Sequence, residues 1–372
     1  MAYTRRNFLK TVAGGFAAAA APWSALGAER KAEWILGGGR FIDLENASPK
    51  GFVFSQINLH GGAPRLTDTA FMPHGVAIDP RHAQRALLFE KIGPGCCEIN
   101  LAAQKVTHTV PPQPGRWFYG HGAFSPDGKL LYSTETINDV QRGEIGERHA
   151  ATHDQIGGYP TFDENTHDGH LSDNGKTLVV TNGGGALGTG LAPCVTYVDV
   201  GSQRLLEKLV LSSESFNTGH LTLSSRGDLV VVSAPRKGLS DKDLGAVSMR
   251  SGKATLRTMT EPADVTARMY GEALSTVIHE PTGIAAVTHP GGNMVTFWSV
   301  RTAKLIKTLP LERARGVTLT LDGAKFIVTY ANSTDLVQVS PRTLEILDNT
   351  RLTKTFLSGS HIFNWNRLTR AA

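Results

Sequence analysis

The chain has 372 residues, 40 % of them apolar, with 40 Gly and 18 Pro, so it has the material for a sizeable core and favours a turn-rich fold. The formal charge of +5 is concentrated at the start, where Arg5, Arg6 and Lys10 meet no acid, and the remainder is near neutral. No basic run interleaved with aromatics is present, which excludes a nucleic-acid partner, and three cysteines are too few for a disulfide scaffold or a zinc ribbon.

The first element is a leader. Thr4-Arg5-Arg6-Asn7-Phe8-Leu9-Lys10 fits the twin-arginine export signal, with Arg5 and Arg6 as the pair. A mildly apolar stretch, Thr11 to Ala21, follows, ended by Pro22 and by the small residues Ala25-Leu26-Gly27. It is too short and weak for a stable membrane span. Residues 1–27 are therefore expected to be a signal peptide passed to the twin-arginine translocase, and 28–372 a single periplasmic domain.

Repeats dominate the rest. His74-Gly75 opens a copy ending near Glu90, and His121 to Glu135 is built around Asp127-Gly128. His170 to Asn182 and His220 to Ala234 follow, around Gly175 and Gly227; weaker copies run Thr276 to His289 and Arg315 to Tyr330, and a truncated one starts at His361. Each copy reads as strand, tight turn, strand, because Asp-Gly and Asn-Gly supply the positive φ of a hairpin. The flanking strands are almost continuously apolar, as when both faces are covered. Two more strands follow most hairpins: Cys194 to Val200 with Leu205 to Leu211, Met294 to Val300 with Leu305 to Leu309, Leu336 to Val339 with Leu344 to Leu347. Four strands per repeat is a propeller blade. Orphan strands at Trp34 to Leu36, Phe52 to Ile57 and Pro64 to Phe71 complete the blade begun at His361. The prediction is an all-β, seven-bladed propeller of four-stranded blades, closed by pairing N- and C-terminal strands in one blade, which removes sheet edges.

Among motifs, Gly183 to Gly188 fits a dinucleotide fingerprint by letter, but Thr189-Gly190-Leu191-Ala192-Pro193 cannot open a helix, so it reads as a loop. Cys96 and Cys97 read as small buried side chains of a strand. His149, His153 and Glu147 read as a surface cluster.

The histidines carry the chemistry. His74, His121, His170, His220 and His361 share a repeat position at the start of the innermost strand, with Arg315 in that place in one copy. Glu90, Glu135, Asn182 and His289 end the second strands. Circular closure would gather these at one channel mouth, with Arg116, Trp117, Tyr119 and His167 beside them. Converging imidazoles and carboxylates suit a transition metal, iron or copper, with His74, His121, His170, His220, His361, Glu90, Glu135 and His289 as candidate ligands and Arg116, His167, Asn182 and Arg315 as ligand contacts. They also suit acid–base work by His121 or Glu135. Histidines that merely brace the blades are the plain alternative.

Trp117-Phe118-Tyr119-Gly120-His121-Gly122, running into Phe124-Ser125-Pro126-Asp127-Gly128 and Leu131 to Glu135, resembles the signature of the bacterial family called domain of unknown function 1513. Leu178 to Gly184 and Gly359-Ser360-His361 fit it too; Cys96-Cys97 and the loop from Asn138 to Thr166 depart from it. The resemblance implies a propeller of the YVTN and quinoprotein-dehydrogenase-like kind, twin-arginine export, and genomic company with imelysin-type iron-uptake proteins. Three functions are consistent with these features: a metal-binding accessory protein serving iron uptake, a protein-interaction scaffold without chemistry, and a lactonase-like hydrolase using the same mouth.

Overall fold

The computed structural model describes residues 32–43, 48–331 and 335–368. The leader with Arg5 and Arg6 lies outside them. The described chain forms seven antiparallel sheets, six of four strands and one of three.

Blade 1 joins the two ends of the chain. Its strands run β27 (Phe363–Asn364), β1 (Trp34–Asp43), β2 (Ser48–Asn58) and β3 (Arg65–Thr69), with Ile35 opposite Asn364 and Leu36 opposite Phe363. The Glu33 carboxylate accepts from the Leu321 amide and the Asn364 side chain, at 2.5 and 2.6 Å. The Trp365 indole donates to the Ala83 carbonyl at 2.8 Å. These bonds fasten the closing strand to blades 7 and 2.

Blade 2 comprises β4 (Pro73–Ile78), β5 (Arg85–Glu90), β6 (Cys96–Asn100) and β7 (Lys105–Thr109). Blade 3 comprises β8 (Arg116–Phe124), β9 (Leu130–Ile137), β10 (Arg142–His149) and β11 (Gln155–Glu164), so the atypical loop region is itself sheet. Blade 4 is β12 (Thr166–Ser172), β13 (Thr177–Asn182), β14 (Cys194–Asp199) and β15 (Leu205–Val210). Blade 5 is β16 (Leu221–Leu223), β17 (Leu229–Ser233), β18 (Ala246–Arg250) and β19 (Arg257–Thr258). Blade 6 is β20 (Thr276–His279), β21 (Ile284–His289), β22 (Met294–Ser299) and β23 (Lys304–Pro310). Blade 7 has β24 (Val317–Leu319), β25 (Phe326–Tyr330) and β26 (Asp335–Val339).

The fourth strand expected at Leu344 to Leu347 is reduced to two isolated bridges, Val339 to Ile346 and Leu336 to Leu352. Leu344 has φ +57°, which takes the backbone out of the extended region. The Asp-Gly hairpins form as read: Gly128 has φ +63°. Gly183 to Gly188 is loop, without a helix after it.

Apolar packing explains why the strands are apolar on both faces. The described residues form seven separate core clusters, one in each gap between neighbouring blades. Val230 and Val232 pack toward blade 6, while Leu229 and Val231, with the opposite phase, pack toward blade 4. Every blade is therefore the filling between two others. Cys96 and Cys97 are buried free thiols on opposite faces of β6, one in each adjoining gap.

Candidate metal centre

Four blades share one backbone device at the start of the innermost strand. A threonine on the second strand accepts from the amide of the residue thirteen positions earlier: Thr134 from His121, Thr181 from Asp168, Thr288 from Ser275 and Thr329 from Gly316. In three of them the same hydroxyl donates to the next blade at or just before its inner strand, at the carbonyls of His167, Gly219 and Arg315. The register breaks at this point in blades 2, 3 and 4: between Pro73 and Gly75, Phe118 and Gly122, Thr166 and Gly169. Such irregularities re-aim side chains. Here the re-aimed side chains are His74, His121, and the pair His167 and Asp168.

Five imidazoles meet on the axis as a result. One ring nitrogen from each of His74, His121, His220 and His361 lies within 4.8 Å of the others, and all four residues are buried. His220 Nε2 is 3.0 Å from His74 Nε2 and 2.8 Å from His167 Nε2. The His220 and His361 rings meet edge to face at 3.7 Å between centroids. The neighbours are small where they touch: a Cβ on Gly120, whose φ is +106°, would sit 2.9 Å from His74 Cδ2.

The second ring nitrogens of His220 and His121 are held by the protein. His220 Nδ1 donates to the Leu274 carbonyl at 2.6 Å, which leaves a bare lone pair on Nε2. His121 Nδ1 lies 3.2 Å from Asp168 Oδ1, and Asp168 Oδ2 lies 3.3 Å from His170 Nε2. The Asp168 carboxylate also accepts the amides of Gly169 and Leu221, at 2.8 and 3.0 Å. A carboxylate or carbonyl behind a histidine is the usual support of a metal ligand.

Two ring nitrogens of the cluster are not satisfied by protein. His121 Nε2 and His361 Nε2 are buried and have no hydrogen-bond partner. The His220 lone pair faces two further ring nitrogens and can accept a proton from only one. Burial, followed by the neighbouring imidazoles, holds His74, His167, His220 and His361 well below the usual histidine range. Burial also lowers His121, against the pull of Asp168. The rings are thus neutral at pH 7, the form that ligates a metal. Metal–imidazole bonds of about 2.0–2.1 Å put two nitrogens of a tetrahedral ion roughly 3.3 Å apart. The ring nitrogens of His74, His121, His220 and His361, within 4.8 Å of one another, would draw together around one ion.

Two cavities flank the cluster. His167 and His220 line one, of about 450 Å³, at the mouth formed by the loops that precede the inner strands. His121, Asp168 and His170 line another, of about 600 Å³, toward the far ends of those strands.

Several residues assigned to this site from the sequence lie elsewhere. His170 stands two residues beyond Asp168, outside the cluster, and keeps 45 % of its side chain open to the second cavity. Burial opposes its protonation, but Asp168 outweighs that and raises it. His167, read as a loop contact, is on β12 and in the cluster. Glu135, Asn182 and His289 each follow a clasping threonine, so strand alternation turns them away from the axis. Glu135 pairs with Arg148 at 2.7 Å and with Arg116 at 3.5 Å, which removes it as acid–base group at the mouth. Asn182 accepts from Thr161 and Thr166 and donates to Thr196. His289 Nε2 is bonded at 2.8 Å to Thr296, which also accepts the Trp298 indole, and burial holds its pKa down at about 3. Glu90 accepts the Gly95 amide within its own turn. Arg116 is tied to Glu144 at 2.6 Å, and Arg315 donates to the Gly359 carbonyl one position before Gly316 in the device. In the supposed surface cluster only His149 is exposed. His153 is buried between Arg85 and Glu98, at 2.9 and 3.2 Å.

The family described as Protein of unknown function (DUF1513) matches residues 70–355. The chain belongs to this family. No curated protein sequence matches it. Among solved structures, this DUF1513 propeller is similar to hydrazine synthase of Kuenenia stuttgartiensis, with 13 % identity, 79 % of this chain and 90 % of that one covered, and a TM-score of 0.61. It is also similar to dihydro-heme d1 dehydrogenase NirN in complex with DHE (12 % identity, 91 % and 76 % covered, TM-score 0.56). A chain of the mitotic checkpoint complex matches at 10 % identity, 78 % and 80 % coverage and a TM-score of 0.57. At these identities the likeness is one of fold, and the DUF1513 chain must be read from its own site.

Proposed function

We propose that this DUF1513 protein is a periplasmic metal-binding accessory protein, linked to iron uptake, that holds a transition metal on the propeller axis. The observation that carries the reading is the convergence of buried imidazole nitrogens, two of them without any protein partner. His74, His121, His220 and His361 would hold the ion, with His167 at its mouth side. An all-imidazole donor set suits iron, copper or zinc. When bound, the ion supplies a Lewis-acidic centre. The chain's own residues orient the rings through Leu274 and Asp168 and keep bulk water from most of the cluster. Export rests on the Arg5-Arg6 leader, and the iron link on the family resemblance.

Elemental analysis of protein purified from the periplasm tests the metal. The expected content is about one transition-metal ion per chain, absent from a His74→Ala, His220→Ala double variant. A metal-free wild type that also takes up no iron, copper or zinc would defeat the reading. Arg5→Lys with Arg6→Lys is expected to leave the protein unexported.

A further inference from the structure

The 450 Å³ cavity at the mouth has walls that do not belong to the metal cluster. Its floor is His167 and His220, and one side is Ile92, Trp117 and Tyr119. Ile92 and Trp117 are 45 % and 44 % exposed, large apolar surfaces left open inside a concavity rather than on a convex rim. Tyr119 stands edge-on to His167 at 6.0 Å, so the aromatic wall continues into the floor. Lys91 and Lys237 also line the space, both exposed, and among the described residues neither has a carboxylate within ion-pair distance. Glu272 is the one acidic residue of the lining, so the cavity is net positive before any ion is counted.

We propose that this cavity binds a small aromatic anion, of the benzoate, salicylate or catecholate kind, whose oxygen donors reach the axial metal. The inference rests on the metal reading. A flat ring against Trp117 and Ile92 covers apolar area that is otherwise wetted. An anionic group neutralises Lys91 or Lys237 and approaches a cationic centre over His167 and His220. A neutral ring would leave the lysines uncompensated, and an aliphatic anion would leave Trp117 bare. The volume is at the small end of ligand cavities, which suits one ring with its substituents rather than a nucleotide.

The experiment uses the mature protein loaded with copper(II), titrated with salicylate, and read by calorimetry and by the visible band of the bound copper. Salicylate is expected to bind about tenfold or more tighter than phenol or acetate and to shift the copper band. Trp117→Ala and Lys91→Ala are each expected to weaken it by about tenfold while copper stoichiometry stays at the wild-type value. Salicylate binding no tighter than phenol and acetate, or unchanged in both variants, overturns the proposal and leaves the metal reading standing. Failure of the wild type to retain copper, iron or zinc removes the metal reading, and this proposal with it.

Discussion

Blades 3 and 4 and blades 6 and 7 use the same backbone device and put different residues on it. Thr134 and Thr181 clasp the amides of His121 and Asp168; Thr288 and Thr329 clasp those of Ser275 and Gly316. The propeller closes equally well in either case, so an imidazole at this position is not what holds the inner strand. Histidines that braced the blades would be expected to bond the sheet, as His289 bonds Thr296. Those on the axis turn one nitrogen toward another ring or leave it without a partner, and where the other nitrogen is held it is by Leu274 or Asp168. That contrast favours the metal reading over the bracing one: in blades 6 and 7 the inner strand is held by the threonine with no imidazole on the axis.

The comparison breaks most severely if the histidine positions are rewritten in the style of blades 6 and 7. His220→Ser with His361→Gly is expected to abolish stoichiometric metal binding. The metal-free protein should still fold, at a cost of about 1–3 kcal/mol: His361→Gly removes a buried nitrogen that lacks a partner, while His220→Ser leaves the Leu274 carbonyl without its donor. Metal content and urea melts of metal-free protein check both halves. Loss of folding without loss of metal in the surviving fraction would reverse the argument.

Asp168→Asn sharpens it. The side chain still fills its place, but the charge behind His121 is gone, and metal affinity is expected to fall about 10–100-fold. Competition with a chelator measures this, and an unchanged affinity would remove Asp168 from the site.

Thr329→Val and Thr181→Val form a matched pair. Each leaves a buried inner-strand amide without its acceptor, so each is expected to cost about 1–3 kcal/mol of stability. Only Thr181→Val should also weaken metal binding, since it frees the backbone of Asp168 and Gly219. Equal metal affinities in the two variants would show that the clasp does not position the site.

The smallest effect concerns His289. Its folded pKa, near 3, lies below the usual value of 6.5, so between these values the unfolded chain binds the proton and the folded chain does not. Stability therefore falls as pH drops from 6.5, by on the order of 2 kcal/mol at pH 5 from this group. His289→Gln should unfold with a shallower pH slope over that window, whatever its stability at pH 7.

The fold was legible because its signals are local and repeated: Asp-Gly turns, doubly apolar strands, and an orphan strand at each end. The convergence of His74, His121, His220 and His361 was legible for the same reason. In blade 4 it was not, because the Asp-Gly-type turn draws attention to His170, whereas the structure counts thirteen residues back from Thr181 to Asp168 and places His167 beside it. That spacing recurs in the sequence at Thr134, Thr288 and Thr329, and it is the signal that would have identified Asp168. Glu135, Asn182 and His289 were misplaced because the ends of second strands return to the mouth, but period-two alternation decides where their side chains point. Lys91 and Lys237 carry no repeat signal at all.

The central claim is that the axis of the propeller is a metal site made by imidazoles that the fold itself does not require. Anomalous diffraction from crystals of the protein, collected at the absorption edge of the metal found in it, tests that most directly. The account predicts a single strong peak on the axis within bonding reach of the inward nitrogens of His74, His121, His220 and His361. No peak there, with ordered water joining the rings instead, would contradict it.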